Sequence, residues 1–152
     1  MDPLDAQRWM QSALELARLA ADLDEVPVGA VVVHEGICIG ADHDRRVELN
    51  DPTAHAEVLA LRQAAAHLGD WRLENCALIV TLEPCPMCAG AALLARVPLI
   101  IYGARNPKFG AIESQVQMLA HTGWNHAVET VSGVLELECG DVMKKYFQAK
   151  RG

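Results

Sequence analysis

The amino-acid sequence predicts a single α/β domain in which helices cover a mixed β-sheet. Its 152 residues match one compact domain and are too few for two cores of ordinary size. A hydrophobic content of 51% with 22% charged residues supplies a buried core and argues against a disordered chain. The predicted elements run from a helix through a hairpin to strands that alternate with helices. That order favours an antiparallel opening followed by parallel strands.

The chain is predicted to begin with a helix and a β-hairpin. Apolar residues recur at helical spacing over residues 5–21, which indicates a helix with one buried face. Val28–Val33 is a run of mostly β-branched residues, and Ile37–Ile39 is a second apolar run. The segment His34-Glu35-Gly36 between them is typical of a hairpin turn.

A polar loop and a second helix should follow the hairpin. Residues 41–53 are rich in Asp, Arg and Asn and end in Asp-Pro-Thr, which predicts a loop. Thr53 is a suitable N-cap for a helix from Ala54 to about His67. Gly69 lies just past the expected end of this helix.

The middle of the chain predicts two strands on either side of a helix. Ala77–Thr81 is an apolar run that suits a central strand covered on both faces. Pro86 suits the first turn of a helix that continues to about Arg96. Leu99–Tyr102 is another apolar run and predicts the next strand.

The last third predicts a loop, a short strand and a closing helix. Residues 103–114 contain Gly, Pro and Asn and are expected to form a loop. Val128–Val131 predicts a fifth strand, and Val134–Ala149 a final helix in which Gly140 is a weak point.

Charge and hydropathy restrict the location and partners of the protein. No apolar run reaches the roughly 18–20 residues that cross a bilayer, and the acidic N-terminus lacks the pattern of a secretory signal. We therefore expect a cytoplasmic protein without a membrane partner. The net charge of −7 disfavours nucleic-acid binding by bulk charge. Residues 144–151 nevertheless carry Lys and Arg without an acid, which predicts a basic patch or, alternatively, a solvated helix end.

The cysteines do not predict a disulfide framework. Five cysteines are an odd number, and no secretion signal accompanies them. Cys38, Cys76 and Cys139 are isolated from other ligand-type residues, and we expect each to be a small buried hydrophobe.

Two short segments together predict an open zinc site. His55-Ala56-Glu57 and Pro84-Cys85-Pro86-Met87-Cys88 each stand at the expected start of a helix. Alone, a Cys-x-x-Cys pair could be half of a structural zinc site, a redox pair or a coincidence. Joined with the histidine it supplies three ligands, the number that a catalytic zinc site holds while leaving one position for water.

Glu57 follows the histidine by two residues and is expected to face the metal without binding it. A carboxylate there could take the proton of a water acidified by zinc. The alternative is an ordinary acid in the first turn of a helix, where it favours the helix dipole.

The pattern His-x-Glu followed by Pro-Cys-x-x-Cys is the signature of the zinc-dependent nucleoside and nucleobase deaminases. Longer segments resemble the bacterial tRNA-specific adenosine deaminases over nearly the whole chain. These segments are 26–31, 51–57, 81–91, Asn125-His126 and the aromatic and basic C-terminal helix.

This resemblance implies a fold, a reaction and a cofactor. The fold would be the cytidine-deaminase-like three-layer α/β/α sandwich around a five-stranded mixed sheet, in a homodimer. The reaction would convert adenosine to inosine at the wobble position of the tRNA anticodon loop. His55, Cys85 and Cys88 would bind one Zn²⁺ per chain, and Glu57 would be the catalytic residue that shuttles protons beside the zinc-activated water.

The resemblance also implies substrate contacts from two loops and from the C-terminal helix. Asn106 and Lys108 match positions near the nucleotide and its phosphates, and Tyr146 and Phe147 offer aromatic rings for an unstacked RNA base. In an alternative interpretation, Phe147 belongs to the core and Tyr146 is half-buried. The expected substrate-binding residues are Val28, Asp44, Ala56, Pro84, Asn106, Lys108 and Phe147.

Three positions depart from the family pattern. Asp44 stands where the family has Asn, Glu113 where the tRNA enzymes usually have Gly, and Ala127 where Arg is common. An acid at position 44 could accept a hydrogen bond but not donate one. Alternatively, Asp44 pairs with Arg45 or Arg46 at the surface.

Three other functions are alternatives to tRNA deamination. A deaminase of free guanine or cytosine is favoured by the net charge, Asp44 and Glu113. A non-catalytic RNA-binding subunit with structural zinc would be expected to lack the acid at Glu57. A thioredoxin-like redox protein would explain neither His55 nor Glu57.

Overall fold

A computed structural model describes residues 1–151 of the chain. The helices are α1 (Pro3–Asp22), α2 (Ala56–Leu68), α3 (Pro86–Leu94) and α4 (Glu136–Arg151), with a short 3₁₀ turn at Met118–Ala120. The strands are β1 (Gly29–His34), β2 (Ile37–His43), β3 (Cys76–Leu82), β4 (Leu99–Ala104) and β5 (Glu129–Val131).

The strands form one mixed sheet in the order β2-β1-β3-β4-β5. β1 runs antiparallel to β2 and to β3, whereas β3, β4 and β5 run parallel to one another. α2 and α3 cover one face, and α1 and α4 cover the other. The predicted three-layer α/β/α sandwich with a five-stranded mixed sheet is confirmed.

β3 is the central strand, and its side chains alternate between two cores. Leu78 and Val80 pack into the core beneath α2 and α3. Ala77 and Ile79 pack into the core beneath α1 and α4. Because both faces are covered, the strand is apolar throughout, as a buried strand with parallel pairing requires.

α1 lies close against β1 because Gly29 has no side chain. A Cβ at Gly29 would overlap the carbonyl oxygen of Ala13 in α1. α1 is also longer than the predicted 5–21. It begins at Pro3, and Asp2 caps it by accepting a hydrogen bond from Leu4 N at 2.7 Å.

The hairpin turn is confirmed, but its second strand is longer than predicted. Glu35 and Gly36 both have positive φ, as a two-residue hairpin turn of the favoured type requires. β2 extends through His43, so the predicted loop 41–53 is wrong at its first three residues. Asp42 fits in a strand because its carboxylate accepts hydrogen bonds from two long side chains, those of Arg45 and Gln63.

Thr53 does not cap α2, and this prediction is wrong. Thr53 is held in a turn by the side chain of Asp51, which accepts its N–H at 2.8 Å. The helix begins two residues later than expected, and His55 is its N-cap. Its end agrees with the prediction, because Gly69 adopts the left-handed conformation that follows a helix.

Several later boundaries differ from the predictions by one or more residues. α3 ends at Leu94, before the expected Arg96, which has a positive φ. β4 continues through Ala104 because Gly103 allows α4 to pack closely on it. α4 begins at Glu136 rather than Val134, and Gly140 is accommodated within it.

Cys76 and Cys139 are buried as predicted, but Cys38 is exposed. Cys38 lies near the start of β2, an edge strand that is open on one side. Among residues 1–151, none of the helices is both long and apolar enough to cross a bilayer.

Candidate active site

The N-termini of α2 and α3 bring the predicted metal ligands together. His55 is the N-cap of α2 and Cys85 is the N-cap of α3, and neither side chain is used to cap its own helix. Cys88 lies in the first turn of α3 and is buried. His55 Nδ1 is 3.7 Å from Cys85 Sγ and 3.5 Å from Cys88 Sγ.

These three atoms fit one zinc ion. All three ligand atoms lie within 4.8 Å of one another. Zinc bonds of about 2.0–2.1 Å to nitrogen and 2.3 Å to sulfur at a tetrahedral angle require a separation of about 3.6 Å. The observed separations match this value, and a set of one His and two Cys leaves the fourth position open.

The electrostatics of the cysteine pair also suit a cation. A hydrogen bond from Cys88 and a second contact with His55 lower the pKa of Cys85 to about 4. The pKa of Cys88 is raised, because its thiol is the donor to Cys85 and is buried. Cys85 is therefore the thiol of the pair that ionises more readily, and a metal ion would supply the positive charge that favours ionisation of Cys88 as well.

Glu57 lies beside this group on the first turn of α2 and is 4% exposed. Burial and the neighbouring carboxylate of Asp44 raise the pKa of Glu57 to about 7. A carboxyl group with this pKa can both give and take a proton near neutral pH.

Asp44 is buried rather than at the surface. Its Oδ1 accepts a hydrogen bond from Ala56 N at 2.7 Å, and its Oδ2 accepts one from Arg46 Nη2 at 2.7 Å. Its side chain is only 2% exposed, so the alternative of a surface ion pair is wrong in location although Arg46 is the partner. Burial raises the pKa of Asp44 despite these two donors.

A cavity of about 510 Å³ opens over the metal ligands, within the usual size range for a small-molecule site. It is lined by five of the predicted substrate-binding residues, namely Val28, Asp44, Asn106, Lys108 and Phe147.

The other two predicted contacts, Ala56 and Pro84, do not line the cavity. The backbone N–H of Ala56 is bonded to Asp44. The carbonyl oxygen of Pro84 accepts a hydrogen bond from Ala111 N at 2.8 Å. The bond of Ala56 therefore ties the start of α2 to Asp44, and the bond of Pro84 ties the start of α3 to the loop that contains Ala111.

Several residues that line the cavity were missed by the sequence analysis. Arg46 was expected only as a partner of Asp44, and Glu83 lies within the segment 81–91, which was singled out for its resemblance alone. Phe109 follows Lys108 in the predicted loop. An aromatic residue next to a cation in a loop is typical of a nucleic-acid contact, so this pair could have indicated that Phe109 lines the cavity. The missed lining residues include Arg46, Glu83, Met87, Phe109 and Met143.

The mouth of the cavity combines exposed apolar and basic side chains. Phe109 is 63% exposed and Phe147 is 42% exposed, so Phe147 does not belong to the core. Tyr146 is half-buried, as the alternative interpretation expected, and its ring lies 5.2 Å from that of Phe147. Lys108 is exposed beside Phe109.

The predicted basic patch at the end of α4 is partly neutralised. Lys145 forms an ion pair with Asp141 at 2.9 Å, and Lys150 forms one with Asp24 near the end of α1. Lys150 also lies 5.4 Å from the ring of Tyr146.

The fold and the site define a deaminase. Residues 4–151 match the MafB19-like deaminase family. The tRNA-specific adenosine deaminase of Bacillus subtilis is 44% identical over 143 residues, which are 94% of this chain and 89% of that protein. This chain therefore belongs to the family of tRNA-specific adenosine deaminases.

Two solved structures have the same fold. One, from a study of A-to-I editing by tRNA:A34 deaminases at the wobble position, has a TM-score of 0.86 and 45% identity. That match covers 89% of this chain and 98% of the other. The guanine deaminase of Nitrosomonas europaea has a TM-score of 0.77 and 27% identity, over 92% of this chain and 83% of the other.

Proposed function

We propose that this protein is a zinc-dependent hydrolase that converts adenosine to inosine at the wobble position of a tRNA anticodon. Residues 1–152 would form one deaminase domain that acts in the cytoplasm, where its substrate is found. The family supports the reaction, since the relatives at 43–45% identity are tRNA-specific adenosine deaminases.

The observation that carries the proposal is the composition of the cavity. His55, Cys85 and Glu57 line the cavity, and Cys88 completes the ligand group beside them, so that the groups needed for hydrolytic deamination lie together. Its mouth carries exposed Phe109 and Phe147 with Lys108, the aromatic and cationic groups that bind unstacked RNA bases and phosphates.

Each residue of the inner end has a distinct task. His55, Cys85 and Cys88 would hold a zinc ion, which when bound would supply a water molecule with a pKa near neutrality. Glu57 takes a proton from the attacking water and delivers it to N1 of adenine. The same carboxyl group then helps the amino group at C6 to leave as ammonia.

The surrounding residues orient the nucleotide. Val28 provides an apolar wall, and the carboxylate of Asp44 offers acceptors to donor groups on the base edge. Asn106 and Lys108 contact the sugar and phosphates from the opposite loop, and Phe147 stacks on a base of the anticodon loop. Ala56 and Pro84 contribute through their backbones, which tie the two sides of the site together.

A deaminase of free guanine or cytosine is the second candidate. The buried acid at Asp44 favours it, as does the fold shared with a guanine deaminase. The greater identity to the tRNA enzymes and the open apolar mouth favour the RNA substrate.

One assay separates these candidates. The zinc-loaded protein is incubated with an anticodon stem-loop RNA that carries adenosine at the wobble position, and with free guanine, cytosine and adenosine in parallel. Inosine in the RNA with the free compounds unchanged would support tRNA deamination. Turnover of guanine or cytosine alone would assign the second candidate. Binding of the RNA without turnover of any substrate would favour a non-catalytic subunit.

Metal analysis of the same sample tests the site itself. One tightly held zinc per chain is expected, because the three donor atoms already have the required separations. A metal-free protein with a reversible Cys85–Cys88 disulfide would instead indicate a redox protein.

We further propose that the protein is a homodimer associating through α3. Leu94 is 74% exposed on this helix, and Trp71 and Trp124 are exposed around the same hollow. An apolar patch of this kind usually marks an interface. Sedimentation should give a dimer for the natural protein and a monomer for Leu94→Arg, and a monomer for both would refute this interface.

A further inference from the structure

Glu83 is a buried carboxylate whose hydrogen bonds all come from one loop. The residue lies at the end of β3 and is 1% exposed. Its Oε1 accepts a hydrogen bond from Asn106 N at 3.1 Å. Its Oε2 accepts hydrogen bonds from Ile112 N at 3.1 Å, Glu113 N at 2.8 Å and Ser114 N at 3.0 Å. The hydroxyl group of Ser114 donates to Oε1.

The loop of residues 105–114 is wrapped tightly around this carboxylate. A Cβ added to Gly110 would overlap the carboxyl carbon and both oxygens of Glu83. Two backbone bonds close the same loop, from Gly110 N to Asn106 O and from Ala111 N to Pro84 O, both at 2.8 Å. Any residue with a side chain at position 110 would force the loop backbone to move away from Glu83.

The carboxylate of Glu83 supplies hydrogen-bond acceptors that the backbone of this loop would otherwise lack. Residues 105–114 lie between β4 and the 3₁₀ turn and belong to neither a helix nor a strand. Their inward-facing N–H groups need acceptors, because a buried unpaired donor is costly. A carboxylate with several lone-pair sites satisfies four such groups at once and places them around one point.

The loop carries residues that face the substrate cavity. Asn106, Lys108 and Phe109 all line it, and two of them are within three residues of Gly110. The backbone N–H of Asn106 is itself one of the Glu83 donors. The carboxylate therefore determines where the side chain of Asn106 starts and how the next residues cross the cavity mouth.

We propose that Glu83 is a positioning residue that holds the 105–114 loop in place over the cavity and so determines the affinity for the polynucleotide substrate. The inference rests on the proposed function for the identity of the substrate. Glu83 acts through the loop backbone and takes no part in proton transfer, since both its oxygens are engaged by loop donors.

The first test uses Glu83→Gln, which keeps the size of the side chain but turns one acceptor oxygen into a donor that faces backbone N–H groups. Hydrogen exchange should accelerate at residues 105–114 and remain unchanged in β3 and α2. The KM for the stem-loop RNA should rise about tenfold or more, with kcat within about threefold, because binding contacts are lost and the reacting groups are not. Zinc content should stay at one per chain.

A second variant disturbs the same contact from the other side. Gly110→Ala leaves the carboxylate intact and displaces the loop through its added methyl group. It should reproduce the rise in KM and the faster exchange. The double variant should be no worse than the more affected single variant, because both changes break one interaction.

Glu113→Gln is the matched control on the same loop. It removes a negative charge and the ion pair with Arg105 Nε at 2.7 Å, while its backbone N–H still reaches Glu83. Its KM should stay within about threefold of the natural value, as for other surface ion pairs. An equal rise in KM for this control would mean that the Glu113–Arg105 ion pair, and not anchoring by Glu83, controls the position of the loop.

The outcomes separate this inference from the proposed function. Unchanged exchange at residues 105–114 in Glu83→Gln would overturn the inference, whatever the substrate. Loss of zinc or a fall in kcat with an unchanged KM would also overturn it. A natural protein that deaminates only a free base would refute the proposed function, while the exchange data would still report on the loop.

Discussion

Replacing Glu57 by glutamine is the most direct test of the proposed chemistry. The amide has the shape of the carboxyl group, so the fold and the three metal ligands should be kept. The amide, however, cannot take a proton from the water or deliver one to the adenine ring. The side chain is 4% exposed on the first turn of α2, so solvent cannot easily supply the missing proton carrier.

The magnitude follows from the surroundings of Glu57. A general acid–base residue contributes about 10²- to 10⁴-fold, which is about 2.7–5.5 kcal/mol of transition-state stabilisation. Two other carboxylates line the cavity, but Asp44 is engaged by Ala56 N and Arg46, and Glu83 by its loop. With no substitute carboxylate available among the described residues, we expect the loss to fall in the upper part of this range.

The assay is single-turnover deamination of the stem-loop RNA, with inosine measured by chromatography after nuclease digestion and zinc by elemental analysis. Glu35→Gln is the control, because it removes the same charge from the exposed hairpin turn at the opposite end of β1. A zinc-loaded Glu57→Gln protein that kept more than about a hundredth of the natural rate would refute the role assigned to Glu57.

Three further perturbations test the metal centre, the core and the cavity mouth. In the native zinc-loaded protein a thiol reagent should modify exposed Cys38 first, and chelation should add Cys85, whose thiolate loses the metal. An equal thiol count by absorbance before and after chelation would contradict the assigned ligands. Leu78→Ala should lower the free energy of unfolding by about 2–5 kcal/mol, since this side chain is fully buried in β3. Urea denaturation measures this change. A loss of stability under about 1 kcal/mol would mean that the core around Leu78 is less tightly packed than the structure indicates. Phe147→Ala should raise the KM for the stem-loop RNA about 5- to 150-fold, as expected for one lost base stack of about 1–3 kcal/mol. An unchanged KM would remove Phe147 from the RNA contacts.

The His55, Cys85 and Cys88 group that could hold a metal was predictable from the sequence because its information is local. His55 and Glu57 share one turn of α2, and Cys85 and Cys88 share one turn of α3. The sequence does not show directly that the N-termini of α2 and α3 lie close together. That proximity was inferred because three potential ligands and one acid are the set that a catalytic zinc site uses. The apolar runs similarly predicted the strands, since a run such as Ala77–Thr81 suits a strand covered on both faces.

The groups that shape the site could not be predicted in this way, because their partners are distant in sequence. Asp44 and Ala56 are 12 residues apart, and their hydrogen bond lies at the first residue of α2, two residues past the expected start. Glu83 and Ser114 are 31 residues apart. A carboxylate that mostly binds backbone N–H groups selects few side chains in its partner, so the loop sequence carries little trace of it apart from Gly110 and the hydroxyl group of Ser114.

Asp44 and Glu113, the two acids that depart from the family pattern, each form an ion pair with a nearby arginine. These pairs change how the net charge of −7 should be interpreted. Asp44 is paired with Arg46 at 2.7 Å, and Glu113 is paired with Arg105 at 2.7 Å. Each acid is thus matched by an arginine close to it in the chain, on one of the two loops that flank the cavity. Because Coulomb interactions with solvent-exposed charges weaken beyond about 10 Å at 0.1 M salt, an approaching phosphate senses these local pairs together with Lys108 more than the sum over the chain. An acidic protein can therefore offer a locally neutral or basic mouth to RNA, and overall charge is a weak argument against a polynucleotide substrate here.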